Sequence, residues 1–128
     1  MKNYRGVIIE ESLADKKVLG QVKITSTRVS VVTPKHATPW LKKWTLHTVE
    51  IEAKKAGEMA RELSKSLDSS HSSWYADFHN EADHYIVYQG KVLHIDMKSA
   101  EQYEKAKEYG ISLGIPEYQV DFKPSIGD

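Results

Sequence analysis

The chain has 128 residues, and 18 basic side chains balance 18 acidic ones, so its formal net charge is zero. A chain of this length suits one domain with one core, and we expect a single domain over 1–128. The absence of cysteine excludes disulfides, thiolate metal sites and thiol nucleophiles. The neutral balance also argues against nucleic acid as a partner, because that interaction draws on a clustered basic surface.

Neither a secretion signal nor a membrane span is visible in the sequence. The apolar run Gly6 to Ile9 is far shorter than the core of a signal peptide. No stretch approaches the roughly 18 apolar residues that a membrane-spanning helix needs. We therefore expect a soluble, cytoplasmic protein without membrane contact.

The neutral total hides a segregation of charge along the chain. Between Lys16 and Val49 there are seven basic side chains and no acidic one, so the rest of the chain has a net charge of minus seven. Such a segregation is typical of an anion-binding surface, or of an interface in which the basic part of one subunit meets the acidic part of another. It is equally compatible with solvated faces that differ in sign.

In the first half of the chain, apolar spacing predicts three strands and two helices. Ile24 stands at an even position and Val29 at an odd one, so we expect a bulge, or a break in the strand, near Ser26 and Thr27. In chain order, the predicted elements are a strand Tyr4–Glu10, a short helix Leu13–Leu19, a strand within Gln21–Thr33, a loop Pro34–Lys43, a strand Trp44–Glu52 and a helix Ala53–Leu67.

The second half predicts a hairpin and a second helix after a Ser-rich connector, Asp68–Ser73. Gly90 in a two-residue turn pairs Tyr85 with His94, and Ser99 opens a helix that Gly114 ends. The elements are strands Trp74–His79, His84–Tyr88 and Val92–Met97, the helix after Ser99, a last strand Tyr118–Phe122, and a loose tail from about 123.

This order of elements predicts an α+β fold of ferredoxin-like layer arrangement. It has an antiparallel or mixed sheet with its two main helices on one face. The other face then lacks a helical cover, so it is solvated or is used by a ligand or a second subunit.

Four of the six histidines fall between 71 and 94. Imidazoles near carboxylates suit a zinc-like metal or a general base oriented by a carboxylate. The candidate metal ligands are His79, His84 and His94, and the candidate catalytic residues are His94, Asp96 and Asp77. No short metal-binding spacing is present, so such a site depends on the sheet register.

A second group of candidates combines basic and aromatic side chains, which can hold an anion by charge and a ring by stacking. It lies in the long loop and on the face that we expect to be uncovered. The candidate ligand-binding residues are Lys35, Trp40, Lys42, Lys43, Tyr75 and Tyr85. The alternative for the loop is that its indoles pack into the core while its lysines remain solvated.

Four stretches resemble those of small uncharacterised prokaryotic α+β proteins: Thr38–Leu41, Trp44–Val49, Trp74–Phe78 and Gly114–Phe122. The resemblance implies a compact α+β domain of bacterial or archaeal origin. It carries no assigned activity and assigns a role to no residue.

Two functions remain open at this point. The first is a ligand-binding or protein-interaction module, expected to be a homodimer, which holds an anionic small molecule or a partner on its uncovered face and anion-accepting loop. The alternative is a small metal-assisted or His/Asp acid-base enzyme that uses the histidines between 79 and 94. The sequence assigns no cofactor to either.

Overall fold

The computed structural model describes residues 3–31, 41–68, 74–115 and 117–120, which form an α+β fold. Four short segments are 3₁₀ turns: Glu10–Ser12, Lys16–Gln21, Ala53–Lys55 and Glu117–Gln119. The strands are β1 Tyr4–Ile9, β2 Lys23–Val31, β3 Lys43–Ile51, β4 Tyr75–His79, β5 Asp83–Tyr88 and β6 Lys91–Asp96, and the two main helices are α1 Ala56–Ser66 and α2 Ala100–Ser112.

All six strands form one antiparallel sheet in the order β2-β3-β1-β4-β5-β6. The first strand of the chain therefore lies inside the sheet, between β3 and β4. The expected bulge is confirmed, since the register of β2 against β3 shifts between Ile24 and Ser26. The predicted β5–β6 register is also confirmed, with Tyr85 opposite His94.

The two helices cover opposite faces of the sheet, unlike the predicted arrangement. Val87 packs in the larger core cluster with Leu63 of α1, whereas the adjacent Ile86 packs in a second cluster with Tyr103 and Ala106 of α2. Successive side chains of a strand point to opposite faces, so β5 needs cover on both sides. Each helix therefore covers one side of β5, and the prediction that both helices lie on one face is not met. The ferredoxin-like layout is not confirmed.

Local signals account for the ends of α2. Ser99 Oγ accepts a hydrogen bond from the backbone N–H of Gln102, as predicted for the helix start. The Gln102 side chain does not bond back to the backbone N–H of Ser99, as it would in a capping box, because its Oε1 accepts from the backbone N–H of Asp96. Gly114 follows the helix with φ +90°, a conformation that favours glycine.

Two other predicted elements take a different form. The short helix expected at Leu13–Leu19 is a 3₁₀ segment at Lys16–Gln21, opened by the Asp15 side chain, which accepts from the Lys17 N–H. The strand expected at Tyr118–Phe122 is a 3₁₀ turn up to Gln119, followed by the fully buried Val120 in the α2 cluster. Phe122, the tail from 123, residues 69–73 of the connector and residues 34–40 of the loop lie outside the described residues.

Gly6 permits the close approach of β1 and β4. A Cβ at this position would meet the carbonyl oxygen of Asp77 and would lie 2.7 Å from Phe78 Cβ. The neighbour is largely backbone, so a side chain would push the two strands apart. The central pairing of the sheet thus depends on a glycine here.

We expect Gly6→Ala to lower the free energy of unfolding by about 1–3 kcal/mol, the usual cost of overpacking a rigid site. Urea unfolding measures the loss. The matched control is Gly20→Ala, because nothing lies within 4 Å of a Cβ at Gly20, and we expect its effect to stay within about 0.5 kcal/mol. Equal stability of the two variants would contradict the close β1–β4 approach.

Candidate functional site

A row of polar residues crosses five strands on the face of the sheet that carries α2. Directly opposed residues on antiparallel strands have Cβ atoms about 5 Å apart, so neighbours in the row can interact. We call it the polar row. It consists of Lys23 on β2, Glu50 on β3, Arg5 on β1, His79 on β4 and His84 on β5, each opposite the next.

Two cavities open along the polar row. The larger has a volume of about 630 Å³, and the smaller, of about 240 Å³, lies between β1, β2 and β3. Arg5 and Glu50 line both cavities, so they stand at the junction between them. We call the larger cavity the Arg5 groove; it is lined by Asn3, Arg5, Glu50, His79, Asn80, Glu81 and Met97.

Arg5 is the strongest anion-binding group in the Arg5 groove. Its side chain is exposed, and among the described residues it forms no ion pair, although Glu50 is directly opposite on β3. A guanidinium carries five N–H donors in a planar fork that matches a carboxylate or a phosphate. His79 lies opposite Arg5 on the other side, also exposed. The two side chains can therefore converge on one ligand.

His84, at the inner end of the polar row, is held on both ring nitrogens. Its side chain is 4% exposed, with Nε2 at 2.7 Å from Asp77 Oδ2 and Nδ1 at 2.9 Å from the Tyr103 hydroxyl. Burial, followed by the negative charges of Asp77 and Asp96, raises the pKa of Tyr103 to about 12. The phenol stays protonated at neutral pH and can donate to Nδ1 while Nε2–H donates to Asp77. His84 is thus enclosed, and neither ring nitrogen is open to a substrate.

The three histidines predicted as metal ligands do not meet at one point. The His79 and His84 rings are neighbours, with centroids 5.3 Å apart. His94 lies on the opposite face, where its ring stacks on Tyr85 at 4.4 Å and its Nε2 is 3.2 Å from Asp83 Oδ1. Within the described ranges, no group of three His, Asp or Glu side chains could hold a metal ion.

The predicted catalytic residues are likewise divided between the two faces. Asp77 is opposite Ile86 and therefore shares the α2 face, whereas His94 is opposite Tyr85 on the α1 face. The exposed Asp96 has the same orientation as His94 in β6 and accepts a hydrogen bond from the Lys98 N–H. A joint site of Asp77 with His94 is therefore excluded, because the two side chains leave opposite sides of the sheet.

Tyr75 and Tyr85, predicted to line one pocket, are also separated. Tyr75 is opposite Tyr88 on the α2 face, with ring centroids 6.4 Å apart. Tyr85 packs on the α1 face with Tyr4 and His94. Both aromatic side chains contribute mainly to packing.

Of the predicted basic loop, only its end is described. Lys42 and Lys43 are exposed, while Lys35 and Trp40 lie outside the described residues. The neighbouring Trp44 packs against Trp74, with ring centroids 5.4 Å apart. Anion binding by this loop stays a prediction.

Sequence reasoning did not single out His47, which is buried like His84. Its Nδ1 lies 2.8 Å from Thr27 Oγ1 and its Nε2 lies 3.0 Å from Glu10 Oε1. The hydrogen bond from His47 lowers the pKa of Glu10, and the charge of Lys16, at 3.7 Å, acts in the same direction. Arg5 and Tyr103 were missed as well, because their partners come from distant strands and no local motif marks them.

Comparison of the chain with protein-family models, with curated proteins and with solved structures found no match. None of the helices in the described ranges has the length and apolar character that crossing a bilayer requires. The geometry of the polar row is therefore the feature from which a function can be inferred.

The lowered pKa of Glu10 predicts a pH-dependent contribution to stability. An acid whose pKa is lowered by folding stabilises the fold above its ordinary pKa of 4.5, and this contribution is lost as the pH falls through the lowered value. Glu10→Gln should therefore destabilise the protein most near neutral pH, and the difference from the parent protein should shrink as the pH falls below 4.5.

Denaturant unfolding over a range of pH values measures this difference. Glu104→Gln is the control, since Glu104 is exposed on α2 and no ion pair of this residue is recorded in the described part of the chain. A destabilisation by Glu10→Gln that does not change with pH would refute the ionic role.

Proposed function

We propose that the protein is a ligand-binding module that holds a small anionic molecule in the Arg5 groove. The observation that carries the proposal is the direct cross-strand pairing of Arg5 with His79 at the wall of a cavity of about 630 Å³. Cavities of roughly 300–1,000 Å³ are the usual size for small-molecule sites.

Arg5 supplies the principal contact to the anion. Because the guanidinium is not engaged by a carboxylate of the described residues, a ligand does not have to displace an existing ion pair. Its backbone is fixed on both sides by β3 and β4, so binding has to order the exposed side chain but not the strand that carries it. His79 adds a ring nitrogen on the same side of the anion.

The acidic residues of the groove restrict the class of ligand. Glu50 and Glu81 face the same cavity, and they would repel a ligand that carries several negative charges. They can instead accept hydrogen bonds from hydroxyl or amino groups. The ligand that fits is a small monoanion that also carries hydrogen-bond donors, as an amino acid or a hydroxy acid does.

The test is a titration of the isotope-labelled protein by NMR, with glycine, lactate and inorganic phosphate as probes. We expect glycine or lactate to shift the backbone signals of Arg5, Gly6, His79 and Asn80, and phosphate to bind more weakly. Arg5→Gln removes a charged hydrogen bond worth about 1.5–3 kcal/mol, so it should weaken binding by roughly ten- to a hundredfold.

Arg28→Gln is the matched control, because Arg28 is an exposed arginine of β2 that does not line the groove. Equal weakening by both substitutions would mean that only the overall charge matters. The proposal would be abandoned if none of the three probes shifted signals around Arg5.

A further inference from the structure

The β2 strand is an exposed edge of the sheet. Among the described residues it pairs only with β3, and eight of its nine residues are exposed. The outer side of an edge strand presents N–H and C=O groups that another extended chain can pair with. The bulge between Ile24 and Ser26 interrupts regular pairing, so the regular part of this edge is 26–31.

The two faces of this regular segment differ in chemistry. Val29 and Val31 project on the α1 face, where they are 58% and 77% exposed. Arg28 projects on the other face between two serines, and β2 contains no acidic residue. The edge thus offers alternating apolar and cationic positions along one strand.

We infer that the β2 edge binds an extended segment of another protein by strand addition, and that acidic and apolar residues alternate in this segment. Main-chain hydrogen bonds between β2 and the added strand would supply the affinity. The alternating side chains of the added strand would determine which segments bind. Acidic residues of the added strand would lie beside Arg28, and apolar residues beside Val29 and Val31. This interaction is separate from ligand binding in the Arg5 groove.

Charge decides between this partner and a second copy of the chain. Two β2 edges paired antiparallel with each other along 26–31 would bring the Arg28 side chains of both copies together, and no acidic residue of β2 would compensate them. Cationic side chains on an edge are a common protection against self-pairing. The same cations attract an acidic strand.

The experiment uses a labelled peptide of about eight residues that alternates valine and glutamate, titrated with the full chain by fluorescence anisotropy. We expect one-to-one binding that weakens with salt. Arg28→Glu should weaken it by about tenfold or more, whereas Lys98→Glu, the same charge reversal at an exposed residue outside β2, should leave it unchanged.

A second probe keeps the protein unaltered. The same peptide with alternate backbone nitrogens methylated retains its charges but cannot complete a strand ladder, and we expect it not to bind. Any of three results would overturn the inference. The methylated peptide binds as well as the parent peptide, the two charge reversals have equal effects, or the parent peptide does not bind. Sedimentation that shows a dimer abolished by Arg28→Glu would also overturn it, in favour of a second copy.

Discussion

The pairing of β1 with both β3 and β4 is the interaction on which the rest of the structure depends. The chain builds β2 and β3 as one antiparallel unit and β4, β5 and β6 as another, and β1 joins the two units into one sheet. The absence of a side chain at Gly6 allows this close contact. The same strand places Arg5 between Glu50 and His79, so the continuity of the sheet and the geometry of the groove have a common origin.

Features determined by neighbouring residues could be predicted from the sequence. The two-residue turn at Gly90 determined the β5–β6 register. In β2, the apolar residues change from even to odd positions, and this change predicted where the bulge lies. Helix α1 followed from its apolar spacing. In each case the physical cause acts over a few residues.

Features that depend on distant parts of the chain were not predictable in this way. Strand β5 has apolar residues at both odd and even positions, so its sequence does not specify which face α2 covers. Asp77 likewise lies on the face opposite to His94, because its face follows from the β4–β5 register and not from neighbouring residues. Arg5 could become a candidate only once β1 was known to pair with β4.

Two histidines are buried within the described ranges, and both follow one pattern, in which the ring lies between a carboxylate and a hydroxyl. His84 lies between Asp77 and Tyr103, and His47 lies between Glu10 and Thr27. A buried polar ring needs partners for both nitrogens, since each unsatisfied group costs about 1–3 kcal/mol. Some of the histidines that suggested metal or acid-base chemistry, such as His84, therefore stabilise the fold.

The central position of β1 also bears on how the chain reaches its native state. Arg5 can pair with His79 only after the whole intervening chain has been made, and such non-local pairings slow folding. During synthesis, β1 emerges before either neighbour, with apolar Val7, Ile8 and Ile9 and two open edges. Until β3 has been made, this short apolar segment has no strand to pair with and stays exposed to water, a state that favours aggregation.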